Sequence, residues 1–201
     1  AFCRRSVSEG KEGMRLFMKR CKWCNLKNKI YIKYHDEEWC KPNFNEEYLF
    51  EMLILESFQA GLSWECILNK REDFRKAFDN FDIEKICKYD EEKIKELLSN
   101  EKIVRNKLKI NASISNARIF KNIQKEYGSF KNYIKNYTKG KTFYEIGKTT
   151  SKLSDDISKD LQRRGMKFVG STIIYSYLQA IGVIYSHEEE CFLNFSDVHK
   201  I

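Results

Sequence analysis

Residues 159–173 read KDLQRRGMKFVGSTI, a run in which two glycines bracket a short basic segment between two helical patterns. We predict a tight turn that joins a helix over 154–164 to a strongly apolar helix over 171–182. Backbone N–H groups at the start of the second helix, with the hydroxyls of Ser171 and Thr172 and flanking cations, would attract a phosphate. The run therefore favours a phosphate-binding hairpin, and an ordinary corner between two helices is the alternative.

Helical patterns also fill most of the chain before this hairpin. Apolar residues recur at helical spacing between capping residues in seven segments: 45–60, 63–69, 71–79, 82–88, 90–99, 104–127 and 129–137. Residues 138–152 lack such a pattern and are expected to form a polar, basic loop. The 201 residues include one proline and nine glycines, and no strand alternation or internal repeat stands out. These features predict one all-α domain.

The charge of the chain is unevenly distributed. The net charge of +8 is the sum of +4 over residues 1–20, −4 over residues 21–100, +11 over residues 101–170 and −3 over residues 171–201. A concentrated basic excess predicts a polyanionic partner such as DNA, although lysine-rich helices can also be merely well solvated. No apolar run approaches the ~20 residues that span a membrane, so no membrane partner is expected. Seven scattered cysteines indicate an intracellular, reducing compartment rather than a secreted disulfide framework.

Cysteine and histidine residues near the two ends of the domain form a candidate metal site. Two sulfur and two nitrogen ligands suit a closed tetrahedral Zn²⁺ site, which would join the N- and C-terminal segments. The candidates are Cys21, His35, His187 and Cys191. The spacing of His187 and Cys191 would place both on one face of a helical turn. Cys24 could instead pair with Cys21 as ligand or redox partner, His199 is a spare ligand, and the residues could be unrelated.

The aromatic residues of the first third of the chain suggest a pocket. All three tryptophans lie within 42 residues, and Glu56 interrupts an otherwise apolar helical segment. A buried carboxylate must be hydrogen-bonded, ion-paired or directed into a functional cavity. A cavity of tryptophan and tyrosine rings with one carboxylate would bind a flat, cationic ring. Alternatively, the tryptophans fill the core and Glu56 faces solvent.

Together these runs resemble the 3-methyladenine DNA glycosylase I family. The motifs follow the family's order over about residues 20–192. They are Arg20-Cys21-x-Trp23, Tyr31-x-x-Tyr34-His35-Asp36-x-Glu38-Trp39, Leu55-Glu56-x-x-Gln59-Ala60-Gly61-Leu62-Ser63-Trp64, Arg105-Asn106-x-x-Lys109-Ile110, Arg164-Gly165-x-Lys167-Phe168-Val169-Gly170 and His187-x-x-x-Cys191. The resemblance implies an all-α bundle similar to the helix-hairpin-helix glycosylases, with a zinc clamp between the N- and C-terminal segments.

The resemblance also implies a role for each group of site residues. The enzyme would remove 3-methyladenine from double-stranded DNA without a redox or nucleotide cofactor. In the base pocket, catalytic Glu56 and Tyr34 would hydrogen-bond the extruded base, Trp64 would stack on it, and the wall would be formed by Trp23, Trp39 and Tyr31. The DNA-binding hairpin would use Gly165, Lys167, Gly170, Ser171 and Thr172. The zinc ligands would be Cys21, His35, His187 and Cys191. We place the glycosylase domain at residues 20–193.

The chain departs from the family pattern in ways that affect these expectations. One extra residue separates Cys21 from His35, which keeps Cys24 as a substitute ligand. No aspartate lies between Gly170 and His187, so the catalytic base of other helix-hairpin-helix glycosylases is missing, as this family is known to lack it. No motif places a lysine for a Schiff base, so we expect a monofunctional, monomeric enzyme that works with DNA inside the cell. A non-catalytic module that binds damaged DNA is the alternative.

Both ends of the chain are expected to lie outside the glycosylase domain. Residues 1–19 are basic and lack a helical core pattern. They are a flexible extension, the remnant of an organellar targeting segment or a sequence of artificial origin. Residues 194–201 would form a C-terminal tail.

Overall fold

The computed structural model describes residues 18–194. The predicted extension and tail lie outside this range, except Met18, Lys19 and Asn194, and His199 lies outside it too. The described part contains ten α-helices, one 3₁₀ turn and two short strands. In chain order they are α1 (Lys29–Glu37), α2 (Glu46–Gln59), α3 (Trp64–Asn69), α4 (Arg71–Ala77), the 3₁₀ turn (Asp79–Phe81), α5 (Ile83–Ile86), α6 (Glu91–Ser99), α7 (Lys107–Tyr127), α8 (Phe130–Thr138), β1 (Phe143–Tyr144), α9 (Lys152–Arg163), α10 (Ser171–Ala180) and β2 (Ile184–Tyr185).

The predicted helical fold class is confirmed, and α2 forms its centre. Every residue of α2 from Leu49 to Phe58 is buried. A helix that is buried around its whole circumference is surrounded by other elements. Helices α7, α8 and α10 pack against α2, and α9 packs against α10. The central helix therefore carries Glu56 into the interior. None of the helices between residues 18 and 194 is long and apolar enough to cross a bilayer.

Capping residues set most helix boundaries where the sequence predicted them. The side chains of Asn45, Ser63 and Asp90 accept hydrogen bonds from the first turns of α2, α3 and α6. Two predicted starts are wrong by a few residues. Helix α7 begins at Lys107 because Asn106 is its cap, and α9 begins at Lys152 because Ser151 and Ser154 form a capping box.

Helix α1, the 3₁₀ turn and both strands were not predicted. Helix α1 buries Tyr31, Tyr34, His35 and Asp36, and this largely polar face gives little hydrophobic periodicity. The predicted loop over 138–152 contains β1, which pairs in parallel with β2. The pairing places Phe143 opposite Ile184 and Tyr144 opposite Tyr185. Strands of two residues are too short for alternation to reveal them.

Gly182 allows the chain after α10 to pass directly against the segment that follows α1. Its φ is +74°, and a Cβ atom there would lie 2.2 Å from the carbonyl carbon of Lys41 and from the nitrogen of Pro42. Only glycine fits such an approach without a backbone shift. The contact is flanked by backbone hydrogen bonds from Cys40 N to Gln179 O and from Asn43 N to Ile181 O. Helix α10 and the end of α1 are thus fixed to one another.

Candidate active site and metal centre

A cavity of about 800 Å³ opens between α1, α2, α3 and α10. It is bordered by segment 146–149 and by residues 188–190. The structure brings together in its lining all six residues predicted to contact the base: Trp23, Tyr31, Tyr34, Trp39, Glu56 and Trp64. Their aromatic rings and the single interior carboxylate give the cavity the chemistry that the sequence predicts.

The aromatic lining consists of two groups of rings. Trp23 packs against Tyr31 at 5.2 Å between ring centroids and against Trp39 at 4.7 Å. Tyr34 and Trp64 pair at 5.4 Å. Such offset and edge-on contacts stabilise aromatic clusters and leave ring faces available to a flat ligand. The walls are therefore held in position by one another.

Glu56 differs from Glu51, a second buried carboxylate on the same helix. Glu51 accepts hydrogen bonds from Arg71 and Arg75, and these cations lower its pKa. Glu56 is 2% exposed, its Oε2 atom has no hydrogen-bond partner within the described part of the chain, and burial raises its pKa to about 8. A buried polar atom without a partner costs about 1–3 kcal/mol. Glu56 faces the cavity as a polar group in need of a ligand.

Two other groups with polar atoms line the cavity together with Glu56. The indole Nε1 of Trp64 is a second buried polar atom without a partner among residues 18–194. Tyr34 is buried, and burial together with the nearby Glu56 carboxylate raises the pKa of its phenol well above the usual value. The phenol is therefore a neutral donor at physiological pH. The cavity offers a carboxylate acceptor and two aromatic groups with polar N–H or O–H functions.

The cavity also contains polar residues to which sequence reasoning gave no role. Gln59 lies within the quoted motif and lines the cavity, as do Ser176, Gln179 and Ser186. Gln179 Nε2 donates to Ser186 Oγ at 2.8 Å. The sequence signal that could have identified Ser176 and Gln179 is that these polar residues interrupt the strongly apolar pattern of α10. The exposed residues of segment 146–149 carried no comparable signal.

The four predicted metal ligands converge at one point next to the cavity. The candidate ligand atoms of Cys21, His35, His187 and Cys191 all lie within 4.8 Å of one another, and all four residues are buried. His187 Nδ1 lies 3.6 Å from Cys21 Sγ and 3.5 Å from Cys191 Sγ, and His35 Nε2 lies 3.5 Å from Cys191 Sγ. A tetrahedral zinc ion at ordinary Zn–S and Zn–N bond lengths gives S···N edges of about 3.6 Å. The four residues fit a zinc ion.

The surroundings of this cluster support the fit. His35 Nδ1 lies 2.8 Å from Asp36 Oδ1, and Arg20 holds the same carboxylate through two hydrogen bonds. Such an outer carboxylate orients a metal-binding imidazole. Cys24 is not part of the group of four, so its predicted alternative role as a ligand is not supported. His187 and Cys191 lie on one side of a single hydrogen-bonded turn, in which Cys191 N donates to Glu188 O, and no longer helix forms there.

The Cys/His cluster also supports the aromatic wall of the cavity. The His35 ring lies 5.3 Å from that of Trp23, and the His187 ring lies 4.8 Å from that of Trp39. A ligand that holds the His35 and His187 rings in place would therefore also hold Trp23 and Trp39 in place. The predicted clamp and the predicted pocket are neighbouring parts of one region.

The predicted hairpin joins α9 to α10 and contributes no residue to the lining of the cavity. Gly165 has a φ of +97° and permits the turn after α9. Gly170 has an ordinary φ of −60°, and a Cβ atom there would meet no atom within 4 Å. Neither space nor φ requires glycine at 170, but Gly170 is the N-cap of α10, a position at which glycine is favoured over alanine. Lys167 and Thr172 are exposed.

The hydroxyl of Ser171 is already engaged within the protein. It donates to Asp155 Oδ1 and lies 2.9 Å from Ser154 Oγ. The predicted contact of Ser171 with phosphate would therefore compete with these bonds. Ser158 Oγ donates to Val169 O at 2.7 Å, so α9 also holds the turn from inside. In this hairpin, polar side chains mainly support the backbone.

Comparisons with known proteins agree with this geometry. The family model described as methyladenine glycosylase matches residues 23–194. DNA-3-methyladenine glycosylase 1 of Escherichia coli strain K12 is 41% identical, with 87% of this chain and 96% of that protein covered. DNA-3-methyladenine glycosylase of Haemophilus influenzae is 35% identical, with 86% and 96% covered.

A solved structure has the same fold. It is 3-methyladenine DNA glycosylase I from Staphylococcus aureus, described as giving the structural basis of 3-methyladenine recognition. Its TM-score is 0.82 at 33% identity, with 87% of this chain and 95% of that chain covered. Together with the match of the family model to nearly the whole described range, these similarities show that the chain belongs to the methyladenine glycosylase family.

Proposed function

We propose that this chain is a monofunctional DNA glycosylase that extrudes 3-methyladenine from double-stranded DNA and hydrolyses its N-glycosidic bond. The observation that carries the proposal is Glu56, a buried carboxylate that faces an aromatic cavity with one oxygen unpartnered. Curated relatives are named for this activity and cover most of the chain. We also propose that it acts as a monomer inside the cell, where the DNA is.

The charge of the lesion explains how the cavity would select it. N3-methylation leaves the adenine of DNA positively charged, whereas normal bases are neutral. Burial holds the pKa of Glu56 at about 8, so the carboxyl is largely protonated at neutral pH until a cation enters. A cationic base would lower that pKa and be bound by the ionised form, with its ring between aromatic faces. A neutral adenine has no positive charge to lower the pKa of Glu56 or to bind its ionised form.

The chemical step needs little help once the base is bound. A cationic purine is already a good leaving group, so binding and modest electrostatic stabilisation replace a strong acid. Glu56 and Tyr34 would hydrogen-bond the base edge, Trp64 would stack on it, and Trp23, Trp39 and Tyr31 would close the wall. Water would attack the deoxyribose during or after departure of the base.

Extrusion requires that the protein hold the DNA backbone beside the cavity. Unpairing one nucleotide costs a few kcal/mol, and less at a damaged pair. The backbone N–H groups between Gly165 and Thr172, with Lys167, would bind phosphates, and the other cations of 101–170 would add long-range attraction. A zinc ion held by the four ligands would be structural, because all four positions come from the protein.

The test is release of labelled bases from methylated duplex DNA by zinc-loaded protein. We expect free 3-methyladenine and an intact abasic strand. Glu56→Gln should lower the single-turnover rate about 10- to 100-fold, because a charge-assisted hydrogen bond contributes about 1.5–3 kcal/mol. Glu47→Gln, an exposed carboxylate on the same helix, is the matched control and should keep the wild-type rate. A wild-type rate for Glu56→Gln would remove Glu56 from the mechanism.

Two further outcomes separate this proposal from its alternatives. Lesion binding without base release, by folded protein, would indicate the non-catalytic damage-binding module. Lys22 and Lys148 line the rim of the cavity and are exposed, so borohydride reduction of the reaction tests for a Schiff base. A covalent protein–DNA adduct would contradict the monofunctional mechanism.

A further inference from the structure

We infer that helix α7 sets the position of the DNA-gripping hairpin relative to the base pocket, with Asn116 and Lys109 as its two positioning residues. The inference rests on the proposed function and extends it to residues outside both sites. Asn116 holds the hairpin, and Lys109 holds the end of the helix that carries Glu56.

Asn116 binds one residue of the hairpin turn through both halves of its amide. Its Nδ2 donates to Lys167 O at 2.9 Å, and Lys167 N donates to its Oδ1 at 2.9 Å. Asn116 is fully buried. A side-chain amide offers a donor and an acceptor together, so no apolar or singly polar residue could replace it. The backbone of Lys167 is thus fixed from α7 while its side chain extends to solvent.

Lys109 makes the corresponding contact at the pocket end. Its Nζ donates to the carbonyl oxygens of Phe58, at 2.8 Å, and Ala60, at 2.5 Å. These carbonyls lie at the C-terminus of α2, where helix ends leave acceptors unpaired. Burial is the cause of the raised pKa of Glu56, so Lys109 acts on the position of α2 rather than on the charge of Glu56.

The two contacts lie on one rigid element. Lys109 and Asn116 are seven residues apart, which is about two helical turns or roughly 10 Å, so they share a face of α7. The Phe168 ring packs over the Lys109 ammonium at 5.8 Å, which brings the hairpin turn to the same face. A misplacement of about 1 Å between the groups that bind a substrate can cost about 100-fold in rate. Helix α7 is built to prevent such a displacement.

The experiment compares DNA affinity, base affinity and excision rate for Asn116→Leu and Lys109→Met. Asn122→Leu is the matched control, since Asn122 is exposed on the same helix. DNA affinity is measured by anisotropy with a duplex that contains an abasic-site analogue. Base affinity is measured by tryptophan fluorescence with free 3-methyladenine. Asn116→Ala is a second variant that also removes both hydrogen bonds to Lys167 but places no larger apolar group there.

We expect Asn116→Leu to weaken affinity for the duplex on the order of tenfold, since two hydrogen bonds to the hairpin are lost, and to leave base affinity unchanged. Asn116→Ala should weaken affinity for the duplex by a similar factor, since it loses the same two hydrogen bonds. Asn116→Leu and Lys109→Met each break the connection that α7 makes between the hairpin and α2. The variant that carries both substitutions should therefore excise the base no more slowly than the slower of the two single variants.

Three outcomes would overturn the inference. One is wild-type DNA affinity in Asn116→Leu, and another is an equal loss of DNA and base affinity, which indicates a general loss of structure. The third is a double variant whose rate falls by the product of the single effects. Failure of wild-type protein to release 3-methyladenine would instead refute the proposed function, and the two affinity measurements would still test Asn116.

Discussion

The base pocket and the hairpin use polar side chains in opposite ways. In the pocket, Glu56 Oε2 and Trp64 Nε1 are buried without partners in the described structure. In the hairpin, the side chains of Ser158, Ser171 and Asn116 are engaged with the protein itself. The pocket thus keeps side-chain groups for a ligand, whereas the hairpin uses side chains to present its backbone.

This difference indicates how each region recognises its part of the substrate. Side chains can distinguish one base from another, because each has its own pattern of donors, acceptors and charge. Backbone N–H groups contact phosphates, which are the same in every sequence. We expect substitutions in the pocket to change which base is bound and substitutions in the hairpin to change how tightly any DNA is bound.

Removal of the metal should have the largest effect and should act on the pocket. A structural zinc site contributes on the order of 10 kcal/mol of apparent folding free energy. Chelation should therefore lower the melting temperature strongly and abolish binding of free 3-methyladenine, because His35 and His187 support Trp23 and Trp39. Circular dichroism and tryptophan fluorescence measure both effects. Added Zn²⁺ should restore them and Mg²⁺ should not; an unchanged melting temperature would contradict a structural metal.

The unpartnered carboxylate should make stability depend on pH. The pKa of Glu56 is raised from 4.5 to about 8, so the folded state binds more protons than the unfolded state between these values. Its contribution to stability is present below about pH 4.5 and is lost as the pH rises through 8. Glu56→Gln should therefore become more stable than wild type by up to about 5 kcal/mol at pH 8–9. Urea denaturation of both proteins at pH 5 and pH 8.5 tests this prediction. An equal difference between their free energies of unfolding at the two pH values would contradict it.

Gly170→Ala should weaken DNA binding without disturbing the fold. Open space and an ordinary φ at this position admit a methyl group; because Gly170 is the N-cap of α10, where alanine is less favourable than glycine, stability should fall by at most about 1 kcal/mol. A phosphate that approaches the backbone would meet the methyl group, and we expect about tenfold lower affinity. Anisotropy with undamaged duplex measures the affinity, and free-base binding serves as the control. Wild-type DNA affinity would show that no phosphate lies there.

Ser171→Ala should have the smallest effect on DNA binding. Its hydroxyl bonds to Asp155 and Ser154, so its loss should cost stability of about 1 kcal/mol and change DNA affinity less than threefold. Thr172→Ala, at the exposed neighbour, is the comparison and should weaken DNA binding more. The reverse order would mean that DNA displaces the internal bonds of Ser171.

Much of this arrangement could be predicted from residue patterns. Capping residues and apolar periodicity located α2, α3, α6 and α7 to within a few residues, because both signals are local. The family and the fold class are confirmed. The predicted pocket and ligand residues lie together, since each set belonged to motifs in a known order. Their roles in catalysis and DNA binding stay predictions.

The remaining features depend on contacts between distant segments. Helix α1 was missed because its buried face includes His35 and Asp36, whose partners are Arg20 and the other metal ligands. The bond of Ser171 to Asp155 and the hold of Asn116 on Lys167 join residues 16 and 51 positions apart. A local pattern gives no signal for such pairs, so Ser171 looked like a free hydroxyl.

The four residues of the candidate metal centre come from opposite ends of the domain, and this has a consequence for biosynthesis. Cys21 and His187 are 166 residues apart, and His35 and Cys191 are 156 apart. A ribosome delivers the chain from the N-terminus, and contacts between distant residues form late because they close long loops. The hairpin draws on residues 116–172 and can form earlier. The newly made chain should therefore acquire its grip on the DNA backbone before it can hold a base.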